Sequence, residues 1–146
     1  MAGIQTISIP DFKTHSGAVY PSIDLHFQQF GCEIGTAPVV LVNHSLTGDA
    51  RLTGDGGWWN EIIGHGRTID TQRYTIMGFN IPGNGVLGQT FSIPEDFHAG
   101  DIASLYLLGL KALNIEKLHA LIGGSIGGGI AWEMAALAPQ ITKYLV

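Results

Sequence analysis

The stretch from Leu118 to Ala138, LHALIGGSIGGGIAWEMAALA, limits what this chain can fold into more than any other. It opens with an apolar run, His119 to Ile122, short enough for a buried strand. Glycines then crowd around one serine, from Gly123 through Ser125 to Gly129. From Ile130 to Ala138 the chain is rich in Ala, Leu and Met and is closed by Pro139, which predicts a helix. The order is therefore strand, sharp turn carrying a serine, helix.

A hydroxyl held at the tip of such a turn puts its own residue in a strained backbone conformation and crowds the residues two before and two after. Those are Gly123 and Gly127. Strain of this kind costs on the order of 1–3 kcal/mol and is kept where function needs it. The following helix adds free amides and partial positive charge beside the hydroxyl. The pattern is G-x-S-x-G, and it makes Ser125 a candidate nucleophile. A dinucleotide-binding fingerprint does not fit, because no start within 123–129 places glycines at i, i+2 and i+5. A Walker loop does not fit either, since it needs Gly-Lys-Ser/Thr and no Lys stands within the glycine cluster. The remaining alternative is a glycine-rich connection without chemistry.

A chain of 146 residues with 45% hydrophobic content suits a single domain. Glycine, at 21 residues, is about twice its usual share of roughly 7% and points to many tight turns. The net charge of −5 and the lack of any basic cluster argue against a nucleic-acid partner. With Cys32 the only cysteine, no internal disulfide can form, which fits a reducing cytosol. The N-terminus lacks the basic start and apolar core of a signal peptide, and the apolar runs are too short to cross a bilayer. A cytoplasmic protein without membrane or metal partners is the expectation.

Along the chain, Ile4 to Ile9 predicts an edge strand ending at Pro10, and Val19 to Phe30 a second strand. Val39 to Val42 is continuously apolar, the mark of a central strand covered on both faces. The polar loop that follows, Asn43 to Asp49, leaves the end of that strand where ligands sit in open α/β sheets. Its His44 reads first as a loop histidine bonded to backbone. The pair Trp58-Trp59 reads as packing, Arg67 to Tyr74 as a connector, and Thr75 to Phe79 as another buried strand. Pro82 to Phe97 is a long loop of the kind that borders sites. A helical face runs from Ile102 to Leu113 with Asp101 as its N-cap, and Ile141 to Val146 begins a further strand. The alternation predicts an α/β fold with a mostly parallel sheet, flanking helices and antiparallel strands at the N-terminus.

Three segments taken together carry a resemblance: NHSLTGDA at 43–50, GGWWNEIIGHGRTIDTQRYTIMGFN at 56–80, and GGSIGG at 123–128. The sequence resembles the α/β-hydrolase superfamily and, within it, the homoserine O-acetyltransferase family, over about Val39 to Leu137. The resemblance implies ping-pong acyl transfer. Ser125 would take an acyl group from acetyl-CoA or succinyl-CoA and pass it to the hydroxyl of homoserine or a similar amino acid, with no bound cofactor. The backbone amides of Leu46 and Ile126 would form the oxyanion hole. Trp58, Trp59 and Arg73 match family positions and are given packing and sheet-edge roles. Two departures stand out: Ser45 replaces the usual Ala, and the segment after Asn80 lacks the family's longer Gly-Ser-Thr-Gly-Pro pattern, which leaves both the acceptor and the acyl donor open.

In this fold the acidic residue and the histidine follow the serine, yet the 21 residues after Ser125 contain neither Asp nor His. The histidines at 15, 26, 44, 65, 98 and 119 all precede it, and Glu133 is poorly placed. Residues 1–146 therefore read as the N-terminal part of a single α/β-hydrolase domain, cut after the elbow helix, without lid or C-terminal strands. Alone it is expected to be inactive. The open sheet edge leaves room for a second copy or a complementary C-terminal chain. Two other readings stay open: a serine esterase or thioesterase of the same fold, and a non-catalytic assembly module.

Overall fold

The computed structural model describes residues 3–89 and 98–146. Its centre is a six-stranded sheet built from β1 (Gln5–Lys13), β2 (Val19–Gly31), β3 (Val39–Asn43), β6 (Thr75–Phe79), β7 (Leu118–Gly123) and β8 (Thr142–Leu145). The spatial order is β1-β2-β6-β3-β7-β8. The two long N-terminal strands run antiparallel to each other, and β2 runs antiparallel to β6. From there on β6, β3, β7 and β8 are parallel. Every residue of β3 and β6 is buried, as expected for apolar runs flanked by strands and covered above and below.

The two faces are covered differently. On one, α1 (Ala99–Ala112) and α2 (Ile126–Leu137) pack together over Leu41, Met77, Phe79 and Leu121. Helix α1 supplies Ile102, Leu105, Tyr106, Gly109 and Leu110, spaced three and four apart so that one stripe meets the sheet. On the other face Val40, Val42 and Ile76 lie under Leu52, Ile63 and Ile69, contributed by an irregular segment. Within that segment β4 (Ile63–Gly64) and β5 (Ile69–Asp70) form a separate two-stranded parallel pair. The expected connector at 67–74 thus contains a short strand, and both long helices lie on one side of the sheet.

Other boundaries differ from expectation for physical reasons. β1 does not stop at Pro10 but continues to Lys13, because an edge strand tolerates a residue without an N–H. Helix α1 is capped by His98, not Asp101. The His98 ring accepts from the Gly100 amide at 3.2 Å, while Asp101, at the third helical position, accepts from the His98 amide at 2.9 Å. Helix α2 starts at Ile126, directly after Ser125, rather than at Ile130. Of the long loop expected from Pro82 to Phe97, the part from 90 to 97 lies outside the described residues. Among the described residues no helix is long and apolar enough to cross a membrane.

The first turns of α2 carry three consecutive glycines, 127 to 129, each of which costs a helix about 1 kcal/mol relative to Ala. A Cβ on Gly129 would meet nothing within 4 Å. Gly129→Ala is therefore expected to raise stability by about 0.5–1 kcal/mol, measured by urea unfolding. The neighbouring Gly127 has no such freedom.

Candidate active site

Neighbouring parallel strands β3 and β7 end together, Asn43 being the partner of Gly123. The loop after β3 and the turn after β7 therefore emerge side by side at the C-terminal end of the sheet. Gly127 closes the gap between them. A Cβ at that position would collide with the Asn43 carbonyl and come within 2.6 Å of the His44 carbonyl oxygen. Gly123 is equally confined, since its Cβ would run into the carbonyl of Gly127. Both glycines flanking Ser125 are thus required by contact between backbones.

Ser125 itself has φ 56° and ψ −130°, outside the regions open to a residue with a side chain. It occupies the N-cap of α2, a place where serine ordinarily accepts a hydrogen bond from a helix amide. Here it makes no such bond, and it is exposed. The hydroxyl is held out to solvent by a strained turn and is not spent on the helix.

The amides around it are unequal. Those of Gly127, Gly128 and Gly129 donate to the carbonyls of Gly124 and Ser125. The amides of Ile126 and Leu46 donate to nothing among the described residues. Two free donors thus belong to the two turns that Gly127 brings together, an arrangement able to hold an oxyanion next to a hydroxyl nucleophile.

His44 is locked into the scaffold. The Ile81 amide donates to its Nε2 at 3.0 Å, so Nδ1 carries the proton and donates to the Ser45 carbonyl at 2.6 Å. With 1% of its surface exposed and both nitrogens engaged, it is a neutral clamp between the loop after β3 and the loop after β6. Burial pushes its pKa down, only partly opposed by the Ser45 carbonyl and the Asp49 charge. Because the folded pKa lies below the unfolded value of about 6.5, the unfolded chain binds the extra proton first. Stability should therefore fall as pH drops below about 6.5. In His44→Gln this acid-side loss is expected to be shallower, read from unfolding free energies at pH 5, 6 and 7.

Asn43 ties the turns from beneath, its Nδ2 donating to the Gly127 carbonyl at 3.3 Å, while its buried Oδ1 has no partner among the described residues. Trp58 and Trp59 stack with ring centroids 5.5 Å apart, and Trp58 Nε1 donates to the Asp49 carbonyl at 3.0 Å. Their sequence signal is one of packing; in the fold they also line a cavity beside the turn, together with Gly123, Gly124 and Val146. No local sequence signal marks that role. Arg73 lies in the turn after β5, its amide donating to the Asp70 carbonyl at 3.0 Å and its guanidinium 5.8 Å from the Tyr74 ring. No described residue hydrogen-bonds the Ser125 hydroxyl, and no cluster of described His, Cys, Asp or Glu could hold a metal ion.

Known proteins share this fold. Residues 38–146 match the family described as alpha/beta hydrolase fold. A homoserine O-acetyltransferase of Corynebacterium diphtheriae is 35% identical over 144 residues, which cover 91% of this chain and 38% of that protein. The crystal structure of a homoserine O-acetyltransferase from Staphylococcus aureus superposes with a TM-score of 0.84 at 29% identity, covering 98% of this chain and 45% of that one. Esterase E22 superposes with a TM-score of 0.85 at 24% identity, covering 98% and 46%, a likeness of fold. The chain spans about 40% of the length of the curated relatives it matches.

Proposed function

The chain belongs to the alpha/beta hydrolase fold family, and from that premise we propose that Ser125 is the nucleophile of an O-acyltransferase. It takes an acyl group from an acyl-CoA thioester and passes it to the hydroxyl of homoserine or a similar amino acid. The observation that carries the reading is the backbone of Ser125. A strained, exposed serine at a helix N-cap that caps nothing has no structural use for its hydroxyl.

In the first half-reaction Ser125 Oγ attacks the thioester carbonyl and gives its proton to a general base. The resulting oxyanion lies against the amides of Leu46 and Ile126. Collapse breaks the C–S bond, and the base returns its proton to the sulfur, which leaves as the CoA thiol. In the second half the acceptor hydroxyl attacks the acyl-serine ester and gives its proton to the same base, which passes it to Ser125 Oγ as the acyl–Oγ bond breaks. Loss of one oxyanion donor typically slows such chemistry about 10²–10³-fold.

His44 cannot serve as that base while both of its nitrogens are bonded. The proposal therefore includes a histidine and an acidic residue brought by a complementary C-terminal segment or chain. The similarity to homoserine O-acetyltransferases supports the choice of acceptor. The test follows thiol release from acetyl-CoA with and without homoserine, using the longest natural polypeptide that carries this chain. Release that depends on homoserine and disappears in Ser125→Ala supports the reading. Release without any alcohol would make the protein a thioesterase instead.

A further inference from the structure

The amide of Leu46 is aimed by the side chain two residues before it. That N–H belongs to the peptide group joining Ser45 to Leu46, whose other polar atom is the Ser45 carbonyl oxygen. In a planar trans peptide the two point in opposite directions, so fixing the oxygen fixes the N–H. The Ser45 oxygen is fixed twice. His44 Nδ1 donates to it at 2.6 Å and the Gly48 amide at 2.9 Å, which engages both of its lone pairs. Turning this peptide over would break both bonds. A donor on the carbonyl also polarises the peptide and makes its N–H a stronger donor.

The ring that does this is itself immobilised. The Ile81 amide can only donate, so its 3.0 Å contact with Nε2 leaves Nδ1 as the nitrogen with the hydrogen. The turn closes over the ring, since a Cβ on Gly48 would stand 3.1 Å from His44 Cβ and 3.4 Å from Nδ1. The main chain of His44 is confined too, its carbonyl oxygen 2.6 Å from where a Gly127 Cβ would be. Gly127 follows Ile126 in the first turn of α2. His44 thus sets the Leu46 amide through its ring and abuts, through its main chain, the turn that carries the Ile126 amide.

We propose that His44 is a positioning residue for acyl transfer: its Nδ1–H bond to the Ser45 carbonyl aims and polarises the Leu46 amide toward the oxyanion. The inference rests on the reading of Ser125 as acyl carrier, and it adds what orients one of that site's two donors. An oxyanion exists in the transition state and not in the bound substrate, so a misdirected Leu46 amide should lower kcat and leave KM nearly unchanged.

Two substitutions separate the two ring bonds. His44→Asn puts an amide nitrogen where Nδ1 stands and offers nothing to the Ile81 amide. His44→Gln puts an oxygen near Nε2 and offers no donor at the place of Nδ1. Thiol release from acetyl-CoA with homoserine is followed in the longest natural polypeptide that carries this chain. His44→Gln is expected to lower kcat about 10²–10³-fold with KM within about threefold, and His44→Asn to lower it less than about tenfold. Urea unfolding should rank the two the other way, because only His44→Asn leaves a buried amide unpaired. A histidine that merely supports the fold would give rates in the order of the stabilities, and that result overturns the proposal.

NMR of the same polypeptide tests the geometry without chemistry. Nitrogen NMR of the His44 ring should find the hydrogen on Nδ1. The Leu46 amide signal should move in His44→Gln and stay near its place in His44→Asn. A hydrogen on Nε2 in the parent protein overturns the proposal whether or not either variant folds, as does a Leu46 signal unmoved in His44→Gln. Should these signals behave as expected while no thiol release depends on Ser125, the acyl-carrier reading fails and the hold of His44 on the peptide stands.

Discussion

Replacing Gly123 with alanine is expected to cost about 3 kcal/mol or more of stability and to abolish the acyl transfer proposed for the longer polypeptide that carries this chain, while Gly124→Ala beside it changes stability by under about 0.5 kcal/mol. The two glycines are adjacent, yet their surroundings are opposite. A Cβ on Gly123 would overlap the carbonyl of Gly127 and stand 2.7 Å from the Gly128 amide nitrogen. All of these are backbone atoms in the first turn of α2, and none can rotate aside. A Cβ on Gly124 would meet nothing within 4 Å. Relief at Gly123 requires α2 to move away from β7, which also withdraws the Ile126 amide from the hydroxyl. Urea unfolding of the two variants, with thiol release as the second readout, checks the contrast. Equal stability of the two would mean that the turn is looser than its contacts imply.

The elbow was legible in the sequence because its constraint is local: a serine in a sharp turn crowds i−2 and i+2, and those positions are glycine. The strands β3, β6 and β7 were legible for a similar reason, as continuous apolar runs between turn residues. What could not be read depends on distant partners. The bond from the Ile81 amide to His44 joins loops 37 residues apart, and the ring's surroundings mark it as structural only once both are in place. The cover of the second sheet face comes from Leu52, Ile63 and Ile69, which share no helical or strand period. His98 carries no cap signal in the sequence, because histidine is not among the usual capping residues. Asp101 carried the acidic signal three positions later. The tryptophan pair had the right residues for a wall, but only the fold brings them beside Gly124.

Ser125→Gly is expected to raise the stability of the protein by about 1 kcal/mol while lowering the acyl transfer proposed for the longer polypeptide that carries this chain by on the order of 10⁶-fold. At φ 56° and ψ −130° the serine side chain holds strain that a glycine lacks. Releasing about 1–3 kcal/mol of strain outweighs the 0.5–1 kcal/mol of chain entropy that a glycine loses on folding. Ser125→Ala separates this account from its rivals. It keeps the Cβ and therefore the strain, and no capping bond is lost, so its stability should match that of the parent. An ordinary N-cap serine would behave in the reverse sense, losing about 1 kcal/mol on change to Ala and only a few tenths on change to Gly. Both variants should be equally inactive, since each removes the hydroxyl. Unfolding free energies in the order Gly above Ala equal to Ser would show a fold that gives up stability to hold one oxygen in place. The order Ser above Gly above Ala would make Ser125 a plain helix cap and remove the basis for acyl transfer.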